Sequence, residues 1–128
     1  MISLEEALTL HENSIRDYGG IAGLRDLNLL ESALARPFLS FDGVEFYPSV
    51  FEKTAAILES IIKNHPFIDA NKRTGFLAAF TQLYRNHFEL NAEKESAYDF
   101  VIKVASSQIS FEEIVNWLRQ NSIHTEQF

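Results

Sequence analysis

The chain has 128 residues, no cysteine and a formal net charge of −7. That length suits one domain with its own core, read here as a single domain over residues 1–128. The lack of cysteine excludes disulfides and thiolate metal sites, and a reducing cytosol is the simple reading. The acidic balance argues against nucleic acid or an anionic membrane as partner, so any anionic ligand must meet a local cationic pocket.

No apolar run approaches the ~20 residues needed to cross a bilayer. The start, MISLEEAL, lacks the basic and apolar regions of a signal peptide. Ser3 stands three residues before Glu6, the spacing of a capping box. Leu4, Ala7, Leu8, His11, Ile15 and Tyr18 then recur at three- and four-residue steps, which predicts a helix ended by Gly19-Gly20. A shorter helix is expected over Asp26 to Ala35, with Leu27, Leu30 and Leu34 on one face and Pro37 as the stop. From Phe38 to Pro48 the pattern turns aromatic and alternating around Asp42-Gly43, the signal of a β-hairpin. Helices resume over Ser49 to Asn64, about Ala70 to Asn86, about Ala92 to Ser106, and Ser110 to Asn121. Ser49/Glu52 and Ser110/Glu113 repeat the capping spacing. The polar tail after Asn121 is expected to fray. The fold class is therefore all-α: a bundle of about six helices with one small β-hairpin.

One stretch interrupts the core-forming pattern. In NHPFIDANKRTG, Asn64 to Gly75, five polar or ionisable side chains fall within nine residues: His65, Asp69, Asn71, Lys72 and Arg73. Pro66 biases His65 out of the α region, so one helix ends there and the next begins within Ile68 to Asn71, with Asp69 a plausible cap. The first N–H groups of that helix point outward and form a ready anion site. Lys72 and Arg73 oppose the helix dipole, a choice that a bound phosphate would compensate. His65 could accept a proton from a hydroxyl, and Asp69 is an oxygen ligand of the kind Mg²⁺ uses beside nucleotide phosphates. Asn71 could donate to a phosphate or hold the loop. The plain alternative is a capped helix start with a solvated Lys-Arg pair.

HPFIDANKRTG resembles the central motif of the Fic superfamily, His-Pro-Phe-x-(Asp/Glu)-Gly-Asn-Gly-Arg-x-x-Arg, and is most similar to its death-on-curing (Doc) branch. The resemblance extends to ISLEEALTLHENSIRDYGGIAGLRD, LLESALARP and QISFEEIVNWLRQ. It implies a Fic fold, in which the hairpin around Phe41, Val44 and Phe46 is a flap that pairs with an extended target segment. It implies His65 as the catalytic residue, Asp69 as the Mg²⁺ ligand, and Asn71, Lys72 and Arg73 as the binders of nucleotide phosphates. Two positions depart from the wider pattern: Lys72 replaces the second Gly and Phe76 the last Arg. Doc toxins share both changes and transfer the γ-phosphate of ATP, whereas the wider family transfers AMP. Ala70 replaces the first Gly, a choice that suits a helix start.

The resemblance thus implies a Doc-type toxin that uses Mg-ATP to phosphorylate a host protein, elongation factor Tu by family, in the cytoplasm. A separate antitoxin peptide would fold into a groove on the bundle. Adenylyl transfer is the enzymatic alternative, and a non-catalytic module that binds a nucleotide or partner is the other. The family's inhibitory-helix pattern has only a near miss, Ser122 to Gln127, which ends in Gln. Outside the motif, His11 is read as a satisfied core or groove residue, Trp117 as core, and Arg25-Asp26 as an exposed ion pair.

Overall fold

The computed structural model describes residues 1–125. Among them are six α-helices: α1 (Leu4–Tyr18), α2 (Leu27–Ala35), α3 (Val50–Asn64), α4 (Asn71–Arg85), α5 (Lys94–Ala105) and α6 (Phe111–Gln120). Strands β1 (Ser40–Phe41) and β2 (Val44–Glu45) form the expected hairpin, with Ser40 opposite Glu45 and Phe41 opposite Val44. Its two-residue turn holds Asp42 at φ 51° and Gly43 at φ 79°, and the double positive φ is what makes Asp-Gly suitable there. Pro37 does not simply stop α2; the chain tightens into a 3₁₀ turn over Arg36–Phe38.

Serine starts α1, α3 and α6 as the spacing predicts. At Ser3 and Ser110 the box is reciprocal, each hydroxyl accepting from the N3 backbone and each N3 glutamate accepting from the cap. At Ser49 the hydroxyl accepts from the Glu52 N–H, but the Glu52 carboxylate accepts from the Ser49 hydroxyl instead of its N–H.

The tail corrects one expectation. Residues Ser122–His124 form β4, which pairs antiparallel with β3 (Phe88–Leu90) in a second two-stranded sheet. The polar letters concealed this because β4 buries little; it is held by backbone pairing and by the His124 ring set edge-on to Phe88 at 5.1 Å. Glu126 and Gln127 of the near-miss inhibitory pattern lie outside the described residues.

Helix α3 is the hub. Ala55, Ala56, Leu58, Ile61 and Ile62 are wholly buried, because neighbours cover the helix all round. On one side Ile57 and Ile61 pack with Ala7, Leu30, Phe67 and Ala78 from α1, α2, the motif loop and α4. On the other, Leu58 and Ile62 meet Leu83, Phe100, Ile114 and Leu118. Trp117 stacks on Phe100 at 3.8 Å and 4°, the packing role expected of it. Gly75 of α4 lets the two motif helices close up: a Cβ there would lie 2.8 Å from Ile62 Cγ1 and 3.4 Å from the Leu58 carbonyl oxygen. The α3–α4 junction, which carries the motif, is thereby joined to the buried core around α3.

Candidate functional site

Helix α3 ends at His65, whose φ 50° and ψ 57° place it in the left-handed region. That reversal sends Pro66 and Phe67 into the core, Phe67 being only 1% exposed, and leaves the His65 side chain on the surface. The Phe67 ring stacks on His11 at 3.9 Å and 5°. His11 is itself buried, and its Nε2 lies 2.9 Å from the Asp69 carbonyl oxygen. The expected groove residue therefore bears directly on the motif loop.

Asp69 does not cap α4. The cap position is Ala70, left-handed at φ 62° and ψ 29°, whose methyl group can cap none of the first helical N–H groups. The Asp69 carboxylate is turned instead toward the α1–α2 loop. Its Oδ2 accepts from the Ile21 N–H at 3.0 Å and its Oδ1 from the Ala70 N–H at 2.8 Å. Those two backbone donors, with smaller help from Arg73 and His11, hold its pKa below the ordinary carboxylate value despite a small opposing effect of burial. The result is an ionised, fixed carboxylate. The left-handed turn at Ala70 also corrects the expectation that alanine suits this position, since glycine occupies that region at less cost.

Uncapped, α4 presents its first N–H groups outward beside the turn at Ala70, an arrangement that attracts anions. Lys72 is exposed in this first turn and has no hydrogen-bond or ion-pair partner among the described residues. Arg73 is half-buried and already engaged, donating to the Gly19 carbonyl at 2.7 Å and to the Ser14 carbonyl at 3.4 Å. Asn71 is buried; its Oδ1 accepts from the Phe67 N–H and its Nδ2 donates to the Phe67 carbonyl, both at 3.0 Å. Of the two roles open to that amide, holding the loop is the one its contacts occupy.

Asp69, Ala70, Asn71, Lys72 and Arg73 line one end of a cavity of about 820 Å³. The rest of its wall includes Ser14 and Tyr18 of α1, Phe76, Leu77 and Phe80 of α4, and Lys94, Tyr98 and Val101 of α5. His65 does not line it but lies at the other end of the same loop. Phe41, Val44 and Phe46 do not line it either; they stand out on the hairpin at 74%, 67% and 53% exposure. The hairpin's base is tied down by Lys53, which pairs with Glu45 at 2.8 Å and donates to the Tyr47 carbonyl. Among the described residues no group of three or more His, Cys, Asp or Glu side chains could hold a metal. A single carboxylate is still the usual protein contribution where substrate phosphates complete a Mg²⁺ shell.

Two features of the site were not legible as such. Gly20, at φ 121°, is pressed against it: a Cβ there would lie 2.7 Å from Asp69 Oδ2 and 3.0 Å from Arg73 Nη2. Its signal was the Tyr-Gly-Gly turn, read only as a helix stop. The Ser14 hydroxyl lines the cavity, buried and without a hydrogen-bond partner.

The Fic/DOC family model matches residues 1–83, which carry the loop, both motif helices and the hairpin. The chain belongs to the Fic/Doc family. It is 38% identical over 99 residues, 76% of each chain, to "Toxin Doc" of Mycolicibacterium smegmatis. It is 33% identical over 119 residues, 93% of each chain, to "Protein kinase doc" of Escherichia phage P1. These relatives put it on the Doc branch. Among the described residues no helix is long and apolar enough to cross a membrane.

Proposed function

We propose that this member of the Fic/Doc family is a Doc-type toxin: a phosphotransferase that moves the γ-phosphate of ATP to a hydroxyl group of a host protein. The observation that carries the reading is the start of α4, which has no side-chain cap and whose Lys72, without a hydrogen-bond or ion-pair partner among the described residues, lines the same cavity as Phe76. A cation at Lys72 and no cation at Phe76 favour triphosphate held near the helix start over the family's AMP-transfer pose. The kinase named among its relatives supports the same choice.

The residues fit this chemistry. His65 takes the proton of the attacking hydroxyl as its oxygen bonds to the γ-phosphorus, while the bond to the bridging oxygen breaks and ADP leaves. The N–H groups of α4, Lys72 and Arg73 stabilise the charge on the phosphate oxygens. Arg73 also braces the α1–α2 loop, and Asn71 keeps the loop in shape behind them. Asp69, fixed by the Ile21 and Ala70 amides, would hold Mg²⁺, whose charge neutralises the nucleotide phosphates. The exposed hairpin, with Phe41, Val44 and Phe46, offers the target an edge for strand addition. Elongation factor Tu is the target the family resemblance implies. The apolar part of the cavity between α4 and α5, around Leu77, Phe80 and Val101, is the groove assigned to the antitoxin peptide.

Incubation with target and ATP labelled at the α or γ position tests the reading. Label should reach the target from the γ position only and vanish with His65→Ala. Transfer from the α position would make the chain an adenylyltransferase. Growth arrest that persists unchanged in His65→Ala would favour a non-catalytic binding module.

A further inference from the structure

Beyond the motif, the residue with the closest hold on His65 is Arg25. Sequence reading pairs it with Asp26, but the two side chains part company. Asp26 caps α2 by accepting from the Leu29 N–H at 3.1 Å. The Arg25 guanidinium reaches back to the end of α3, donating through Nη2 to the Asn64 carbonyl at 2.7 Å and through Nε to the His65 carbonyl at 2.5 Å. Its own backbone N–H donates to the Pro66 carbonyl at 2.8 Å. One residue thus holds three consecutive carbonyls centred on His65.

The need for such a hold follows from the imidazole. Among the described residues no hydrogen bond, ion pair or ring contact reaches the His65 side chain. A general base is ordinarily oriented by a third group bonded to its far nitrogen. Here the ring has no such partner, so its placement comes through the backbone. That backbone is left-handed, a conformation uncommon for a non-glycine residue, which contacts around it help to keep. Asn71 fixes Phe67 on the downstream side. Upstream, the last carbonyls of α3 have no intrahelical donor, and the rigid guanidinium fork meets two of them with less loss of side-chain freedom per bond than a flexible ammonium would.

We infer that Arg25 is a positioning residue for His65, its guanidinium clamping the Asn64 and His65 carbonyls beside the backbone bond to Pro66; as a statement about turnover it rests on the phosphotransferase reading. The segment that carries it supports the same task. Ile21 holds the Asp69 carboxylate and Gly23 accepts from the Ile68 N–H at 3.1 Å, so the α1–α2 loop braces base and carboxylate together.

The test compares wild type, Arg25→Ala and Arg25→Lys, assayed well below their melting temperatures, with two readouts. The first is γ-phosphate transfer, separated into kcat and KM for ATP. The second is amide hydrogen exchange over residues 64–68 without nucleotide, which needs no turnover. Arg25→Ala should lower kcat by about tenfold to a hundredfold, the scale of an ångström-sized misplacement, and leave KM for ATP within about twofold. Exchange at residues 64–68 should quicken while α3 keeps its protection. Arg25→Lys should recover only part of the rate, and added ethylguanidinium should partly restore Arg25→Ala. An unchanged kcat in Arg25→Ala, or a lowered kcat with exchange at 64–68 as slow as in wild type, would overturn the inference. If wild type transfers no γ-phosphate, the functional reading fails by itself, and the exchange comparison still decides whether Arg25 clamps the loop.

Discussion

Replacing Asn71 with alanine tests how far its amide is needed to hold the motif loop. Both its polar atoms are bonded to the Phe67 peptide, and Phe67 is only 1% exposed, so water cannot replace them. Alanine would leave a buried N–H and a buried C=O unpaired, each costing about 1–3 kcal/mol, for a total of roughly 2–6 kcal/mol. At about 2.1 cal/mol/K per residue, unfolding this chain carries an entropy near 0.27 kcal/mol/K, so the melting temperature should fall by about 7–22 °C. A domain near the middle of the usual range of about 5–15 kcal/mol keeps most of its molecules folded at 25 °C after that loss. The assay is thermal unfolding followed by circular dichroism without nucleotide. A melting temperature within about 2 °C of wild type would refute the reasoning, by showing that the amide is not needed for the loop and is free to meet a phosphate.

Three further expectations concern the same site. Gly20→Ala puts a methyl group against Asp69 and Arg73 in a backbone region alanine rarely adopts; it should destabilise the fold by about 1–3 kcal/mol and weaken nucleotide binding in calorimetry. Ala70→Gly relieves a left-handed alanine and should raise the melting temperature by a few degrees, about 0.5–1 kcal/mol, with a drop in that temperature counting against the strain. Because the Asp69 pKa is depressed on folding, its contribution to stability is full above the ordinary carboxylate value near 3.9 and is lost as pH falls through the lower folded value. An NMR titration of its side-chain carboxyl should show a midpoint below that ordinary value, and Ile21→Pro, which removes one donor, should bring it back up.

Much of this molecule was written locally. Serine-to-glutamate spacing, apolar stripes and an Asp-Gly turn are each settled within a few residues, which is why all six helices and the hairpin stood where the letters placed them. The motif also announced its residues: His65, Asp69, Lys72 and Arg73 conflict with a core-forming pattern, and such conflicts are where function tends to sit. What the letters left open are the contacts between segments distant in the chain. Asn71 could serve phosphate or loop from its letter alone, and only the fold shows its amide bonded to the buried Phe67. Asp69 looked like a cap until the Ile21 amide drew its carboxylate across the α1–α2 loop. Arg25 read as half of a surface ion pair, yet its partners lie 39 and 40 residues away. The β4 strand carries too little apolar patterning to be seen without the β3 edge it completes. Local sequence fixes which backbone conformations are favourable, whereas hydrogen bonds across the fold depend on which groups packing brings within 3 Å. The sequence by itself therefore determined the family's loop and which side chains are candidates for its chemistry. Only the tertiary structure decided which of those groups are held, by what, and which remain free to meet a ligand.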